Sequence, residues 1–199
     1  LGTHGLADAI AGLGLAYDSP EALEVIDRIY ETLKVTAYSE SVELAKQRGA
    51  FPVFDWEAEC DNGFIQSLPQ DLQDAIKEFG RRNISILTNA PTGSVSIMSQ
   101  TSSGLEPVFR NWYTRRRKLS HNETDQGADF VDDLGDRWKE FKVFHHNVRD
   151  YLQQFNLGDD QVPDFFTESD GIDWQQRVKI QSAIQQHIDH SISSTINLP

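Results

Sequence analysis

The chain has 199 residues, of which 38% are hydrophobic and 25% charged, a composition typical of a globular protein with a buried core. Its 31 acidic residues outnumber the 18 basic ones, and the formal charge of −13 argues against a large basic surface for nucleic acid or anionic lipid. The single cysteine, Cys60, excludes an internal disulfide and a multi-cysteine zinc site. The single cysteine also fits a reducing cytosol, and no apolar stretch reaches the roughly 18 residues of a membrane span. Together with the acidic charge, these features predict a cytoplasmic protein without membrane or nucleic-acid partners.

Two helices are predicted in the first quarter of the chain. Residues 1–5 lack an initiator Met and a basic or apolar leader, so we interpret them as the interior of a longer polypeptide. The apolar spacing from Leu6 to Leu15 predicts a short packed helix. Ser19 followed by Pro20 is typical of a helix start, and the helix that follows is expected to end at Gly49.

The rest of the chain alternates between predicted helices and strands. Residues 51–69 are expected to form a loop with short turns, and 121–135 a polar, exposed excursion. Further helices are predicted at 69–79, 92–100, 148–155 and 174–192, and strands at 83–88, within 105–118, at 140–145 and at 194–198. Residues 158–171 form an acidic connection. Strands separated by helices predict a parallel α/β architecture.

A candidate anion site follows the predicted strand at 83–88. The strand, a tight turn and a helix start are lined by small hydroxyl residues: Thr92, Gly93, Ser94, Val95 and Ser96. A helix start presents unpaired backbone N–H groups and the positive end of the helix dipole, which together bind phosphate. Thr92, Ser94 and Ser96 could add hydroxyl donors. The alternative is that Thr or Ser caps the helix with nothing bound.

Two neighbouring segments carry a family resemblance. Residues 90–96 read APTGSVS and residues 101–107 read TSSGLEP, and this pair closely resembles the large catalytic subunit of ribonucleotide reductases. Residues 1–8 (LGTHGLAD) and 194–199 (STINLP) resemble family segments in the same order. The resemblance therefore runs from one end of the chain to the other, and 1–199 is interpreted as a single fragment of the catalytic barrel.

The resemblance implies a fold and a cofactor. The family's fold is a ten-stranded α/β barrel, of which this chain would be the C-terminal half. Where the tyrosyl-radical class has adjacent tyrosines near the last strand, Asn197 and Leu198 stand here. The chain is therefore most similar to the adenosylcobalamin-dependent class, and the resemblance implies that cofactor for the full-length parent.

The resemblance also implies a reaction and its partners. The parent would reduce ribonucleotides to deoxyribonucleotides by thiyl-radical chemistry, and Thr92, Gly93, Ser94, Val95 and Ser96 would bind the phosphates of a ribonucleoside di- or triphosphate. The required cysteines would precede residue 1 and follow residue 199, so Cys60 receives no catalytic role. No catalytic residue is assigned within the chain, and the chain alone is expected to be inactive. Its partners would be the remainder of the reductase chain and a second copy in a homo-oligomer.

Other polar groups give weaker predictions. The basic run at 115–118 alternates between two faces of a strand and is interpreted as ion-paired. Glu106 either organises the floor of the active site or is an ordinary loop carboxylate. His187 and His190, with Asp189, lack an evident third metal ligand, and His145 and His146 would point to opposite faces of a strand, so no metal site is predicted.

A different class of function stays open at the level of sequence. The chain could be a non-catalytic nucleotide-binding or assembly module that keeps half of the barrel without its chemistry. Both hypotheses predict phosphate binding. An Asn, Cys and Glu motif upstream would favour the enzyme.

Overall fold

The computed structural model describes residues 1–120 and 127–195. In these ranges the helices are α1 (Leu6–Gly12), α2 (Pro20–Arg48), α3 (Trp56–Glu59), α4 (Gly63–Gln66), α5 (Gln70–Phe79), α6 (Gly93–Ser99), α7 (His146–Gln154) and α8 (Trp174–Gln185). The strands are β1 (Trp112–Lys118), β2 (Phe130–Val131) and β3 (Arg137–Phe144). None of the helices within these ranges is both long and apolar enough to cross a membrane.

The long helix α2 has the predicted ends. Ser19 lies in the extended region, and its hydroxyl accepts a hydrogen bond from the Ala22 amide at 3.1 Å, which satisfies one of the amides that a helix start leaves unpaired. Gly49 ends the helix with a φ of 81°, a conformation that a side chain would disfavour. Gly80 ends α5 in the same way with a φ of 72°. These boundaries confirm the helices predicted from Ser19 to Gly49 and at 69–79.

Helix α2 forms the centre of two apolar clusters. Its first half packs with α1, α8 and Leu87, and its second half packs with α4 and α5. Residues at the centre of the two clusters are almost fully buried: Ile10, Ile26, Tyr30, Leu87, Ile184, Tyr38, Val42 and Ile76. Burying such side chains stabilises the fold by about 1.5–3 kcal/mol each. Leu87, at the entry to α6, is thereby fixed to the core.

The segment predicted as a strand at 83–88 is not a regular strand. The Asp189 carboxylate accepts hydrogen bonds from the amides of Ile86 at 2.8 Å and Leu87 at 2.7 Å. Amides of consecutive residues point to opposite sides of a strand, so one carboxylate that binds both requires a departure from β geometry. One parallel bridge, between Asn89 and Ile192, is present nearby. The predicted regular strand is therefore not formed, although Leu87 and Asn89 share backbone hydrogen bonds with residues 190–193 on one side. On the other side the Thr88 amide donates to the Leu1 carbonyl at 2.8 Å.

The sheet in the described part of the chain is antiparallel, with the strand order β1-β3-β2. Trp112 pairs with Phe144 and Lys118 with Trp138, and β1 is exposed along its length. Arg116 forms an ion pair with Glu140 at 2.7 Å across the two strands. Mixed helix and strand structure is thus confirmed, but within the described ranges the predicted parallel arrangement is not found as a sheet, because β1 and β3 pair antiparallel.

Several predicted boundaries differ from the observed ones. The stretch 51–69 contains the two four-residue helices α3 and α4. Helix α8 ends at Gln185 rather than 192, because the Gln185 side chain donates to the carbonyls of Ile188 and His190 and so stabilises a turn. Residues 121–126 of the predicted polar excursion and 196–199 of the predicted last strand lie outside the described residues, and 194–195 form no strand. His145 lies before α7 rather than within a strand.

Candidate functional site

The turn before α6 is anchored by a buried asparagine. Asn89 is 1% exposed, and its side-chain amide donates to the Thr3 carbonyl at 3.0 Å while its side-chain oxygen accepts from the Thr3 amide at 3.0 Å. This pair of hydrogen bonds ties the turn to the first residues of the chain. The turn at Ala90 and Pro91 then leads directly into α6.

Thr92, the residue before α6, does not cap the helix with its side chain. Its backbone has a φ of 54° and a ψ of 28°, a left-handed conformation that is uncommon for a residue other than glycine. Its hydroxyl donates to the Pro91 carbonyl at 2.8 Å and accepts from the Gly104 amide at 2.8 Å. The alternative, in which the Thr92 hydroxyl caps the helix, is therefore not observed.

The first amides of α6 are open. The first hydrogen bond to the turn runs from the Ser96 amide to the Thr92 carbonyl at 2.9 Å. Within residues 1–120 and 127–195, the amides of Gly93, Ser94 and Val95 have no acceptor. All three residues are exposed, and a Cβ added to Gly93 would meet nothing within 4 Å. An anion can therefore approach these three amides without displacing a protein group.

Ser96 faces the protein rather than the open side. It is 3% exposed, and its hydroxyl donates to the Gly93 carbonyl at 2.9 Å and lies 2.7 Å from the hydroxyl of Ser103. Of the five predicted site residues, Gly93, Ser94 and Val95 thus present open amides. The hydroxyls of Thr92 and Ser96 are used inside the protein.

A cleft of about 480 Å³ lies beside α6. Hydroxyl residues line much of it: Ser96, Thr101, Ser102, Ser103, Ser169 and Thr195. The rest of the wall comes from 106–109 and from His145 and His146, with Ile97 and Gln100. The Ser102 hydroxyl is buried and has no hydrogen-bond partner among the described residues, which is uncommon for a polar atom in a folded protein. The unpartnered Ser102 hydroxyl therefore lies buried behind the wall of the cleft.

A hydrogen-bonded pair of an aspartate and a histidine lies below this cleft. Asp8 in α1 accepts from the Ser102 amide at 2.6 Å, and its other oxygen lies 2.9 Å from Nε2 of His145. Burial raises the pKa of the Asp8 carboxyl, but the hydrogen bonds with His145 and the Ser102 amide outweigh that effect and hold it below its ordinary value. This pair connects α1, the 101–104 loop and the start of α7.

Glu106 connects three segments at the edge of the cleft. One carboxylate oxygen accepts from Arg177 Nη2 at 2.5 Å and from the Thr195 amide at 2.6 Å. Glu106 thereby holds α8 and the segment after it against the loop that follows Gly104. Of the two interpretations of Glu106, these bonds favour a role in organising the floor of the cleft.

Sequence reasoning missed Asp8, Ser102 and Arg177. Asp8 is 94 residues from Ser102 and 137 from His145, and Arg177 is 71 residues from Glu106. No local pattern links residues at such separations.

The remaining polar candidates have structural partners. His187 is buried, and its Nε2 lies 2.8 Å from Asp27, while Asp189 binds backbone amides as described above. Cys60 ends α3, its thiol lies 3.6 Å from the Glu57 carbonyl, and it does not line the cleft. Over the described ranges, no group of three His, Cys, Asp or Glu side chains is placed to hold a metal ion.

Helices and strands around an open helix start and a hydroxyl-lined cleft place the chain among mixed α/β domains with a candidate ligand cleft. The family model described as "Ribonucleotide reductase, barrel domain" matches residues 1–199. The chain belongs to this family, as the resemblance implied.

Curated relatives agree with the family assignment. The chain is 30% identical over 200 residues to a vitamin B12-dependent ribonucleoside-diphosphate reductase of Mycobacterium tuberculosis, a match that covers 100% of the chain and 27% of the relative. A protein of the same name from Thermoplasma acidophilum is 29% identical over 206 residues, covering 100% of the chain and 24% of that protein. A ribonucleoside-diphosphate reductase large subunit of Arabidopsis thaliana is 32% identical over 148 residues, covering 64% of the chain and 18% of that protein. The chain thus spans about a quarter of the length of its vitamin B12-dependent relatives.

Proposed function

We propose that the chain is the C-terminal half of the ten-stranded catalytic barrel of a ribonucleotide reductase, and that Thr92–Ser96 holds the phosphates of the substrate. The observation that carries the phosphate site is the set of open amides at Gly93, Ser94 and Val95, next to a hydroxyl-lined cleft. The names of the relatives favour a ribonucleoside diphosphate over a triphosphate. The same proposal places the protein in the cytoplasm.

The proposed role of the chain is to bind and orient the substrate. The amides at the start of α6 would bind the phosphate oxygens, and the Ser94 hydroxyl would add a donor from the exposed face. The ribose and base would then extend into the neighbouring cleft. Thiyl-radical chemistry needs cysteines near the ribose, and Cys60 lies outside the cleft. The reacting thiols would therefore come from other parts of the full-length protein.

Adenosylcobalamin is proposed as the cofactor of the full-length protein because the relatives that cover the whole chain are named vitamin B12-dependent. The residues that the structure describes do not form a recognisable corrin site. The buried polar atoms without partners in the described ranges, Ser102 Oγ, Arg177 Nε and His187 Nδ1, belong to three separate segments. No step of the reaction is therefore derived through the cofactor.

The test uses the full-length protein. Equilibrium binding of cytidine, its monophosphate and its diphosphate should show affinity rising with each phosphate, and cytidine diphosphate should be converted to the deoxynucleotide when adenosylcobalamin and a dithiol are added. Equal affinity for cytidine and its diphosphate would contradict the phosphate site. Phosphate-dependent binding without turnover would instead favour the non-catalytic nucleotide-binding module.

A further inference from the structure

The turn that presents the open amides has an unfavourable backbone conformation that needs external support. Thr92 is in the left-handed region with a φ of 54°, where a β-branched residue is strained. A strained residue persists only where its surroundings fix it. The left-handed conformation of Thr92 therefore depends on the contacts that hold this residue in place.

Two hydroxyl contacts connect this turn to the loop at Ser103 and Gly104. The Thr92 hydroxyl accepts from the Gly104 amide at 2.8 Å and donates its only proton to the Pro91 carbonyl. Ser96 donates its proton to the Gly93 carbonyl, so Ser103 is the donor in the 2.7 Å contact between the two serine hydroxyls. The two contacts fix the first turn of α6 at both ends.

Gly104 allows this close approach. Its φ is 51°, and a Cβ at this position would lie 3.3 Å from the Ala90 carbonyl oxygen and 3.5 Å from the Pro91 carbonyl oxygen. The loop thus lies directly against the turn, with little room for a side chain. The Gly104 amide reaches the Thr92 hydroxyl from this position.

We propose that Thr92 and Ser103 are positioning residues, whose hydroxyls fix the turn so that the amides of Gly93, Ser94 and Val95 converge on the phosphate. A phosphate oxygen only accepts hydrogen bonds, and the Thr92 hydroxyl has no second proton to donate. Its role is therefore to hold the turn and not to contact the ligand. This inference rests on the proposed phosphate site at Thr92–Ser96. Within that site, the backbone amides would bind the phosphate, and the hydroxyls would hold the turn in place.

The experiment compares Thr92→Val with Thr92→Ser in the full-length protein. Valine has nearly the shape of threonine but no hydroxyl, whereas serine keeps the hydroxyl. We expect Thr92→Val to raise the hydrogen-exchange rate of the Gly104 amide without ligand, and to raise KM for cytidine diphosphate, each by about three- to tenfold, with a smaller change in kcat. Thr92→Ser should restore both values to within about twofold.

A second variant keeps the test informative if Thr92→Val does not fold. Ser103→Ala leaves Thr92 intact and removes the donor to Ser96, and it should raise KM for cytidine diphosphate by about two- to tenfold with little change in kcat. An unchanged KM in Ser103→Ala would overturn the positioning role of Ser103.

The outcomes separate the two proposals. A higher KM in Thr92→Val without faster exchange at Gly104 means that the hydroxyl contacts the phosphate directly, and overturns the positioning role. Faster exchange with an unchanged KM also overturns it. Gly93→Asp tests the phosphate site separately. An unchanged affinity for cytidine diphosphate in this variant would contradict the phosphate site itself. A strong loss of affinity would support the site, whatever the result for Thr92→Val.

Discussion

The starts of α1 and α6 have nearly the same geometry and opposite surroundings. Both helices have seven residues, both follow a residue in the left-handed region, Gly5 or Thr92, and neither has a side-chain cap. The first turn of α1 is buried and contains Asp8, whereas the first turn of α6 is exposed and contains no acidic residue. A negative charge is favourable at a helix start. In α1 the protein supplies that charge itself, and in α6 the position is open to a ligand.

This contrast shows why helix geometry alone does not define a site. The uncapped start is common to both helices. They differ in whether a carboxylate already lies in the first turn and whether solvent reaches the amides. A carboxylate introduced at the start of α6, removal of the carboxylate from α1, and an uncharged change in α6 should therefore have different effects.

The largest effect is expected from Gly93→Asp. The new carboxylate would lie beside the bound phosphate, and repulsion of about 3 kcal/mol corresponds to an affinity for cytidine diphosphate about 100-fold lower. Stability should stay the same or rise by about 0.3–1 kcal/mol, because the site has room for a side chain and an acidic residue suits a helix start. Binding titrations and thermal unfolding of the full-length protein measure the two quantities.

The matched control for this change is Gly93→Asn, which has nearly the same size without the charge. It should lower the affinity much less than Gly93→Asp. If the two variants bind cytidine diphosphate equally well, charge at this helix start does not matter and the contrast with α1 fails.

Asp8→Asn should lower stability at neutral pH by about 1–3 kcal/mol, because it removes the charge from the hydrogen bonds with His145 and the Ser102 amide. The pKa of Asp8 is lower in the folded protein than its ordinary value of 3.8, so its stabilising contribution is complete above that value and is lost as the pH falls through the folded pKa. The difference in melting temperature between the parent and Asp8→Asn should therefore shrink below about pH 4.

A suitable comparison is Asp133→Asn, since Asp133 is exposed. This control should change the melting temperature little at any pH. A difference for Asp8→Asn that stays constant from neutral pH to below pH 4 would contradict the assignment of the effect to the Asp8 charge.

The smallest effect is expected from Ser94→Ala. This change removes one exposed hydroxyl donor and keeps the backbone amide, so affinity for cytidine diphosphate should fall by about 0.5–1.5 kcal/mol, or roughly two- to tenfold. Stability should not change, because Ser94 has no side-chain hydrogen bond within the described ranges. Ser85→Ala, at another exposed serine, should leave the affinity unaltered. A loss in Ser94→Ala as large as in Gly93→Asp would mean that the hydroxyl, not the amides, dominates binding.

Features set by neighbouring residues could be predicted from the sequence. Ser19 and Gly49 mark the ends of α2 because a cap and a left-handed glycine act within one turn of the helix. The position of α6 and the exposure of Gly93 and Ser94 follow from the short segment after Pro91.

Features set by distant residues could not be predicted. The strand expected at 83–88 is an irregular segment, in which Asp189, about 100 residues away, binds two amides and residues 190–193 bond to the backbone of Leu87 and Asn89. The Thr92 hydroxyl is used by Gly104, which local helix rules do not anticipate. The parallel arrangement was inferred from the alternation of elements, but β1 and β3 pair with each other directly.

The Asp189 carboxylate also occupies backbone donors that a second chain would need for β-pairing. Exposed backbone amides at the side of an extended segment can pair with a second chain and start aggregation. Asp189 occupies the amides of Ile86 and Leu87, and its bond to the Tyr38 hydroxyl at 2.7 Å fixes it to the core. The amides of Ile86 and Leu87 are thereby not available to a strand of a second chain. The segment before α6 is protected at these two residues from intermolecular β-pairing.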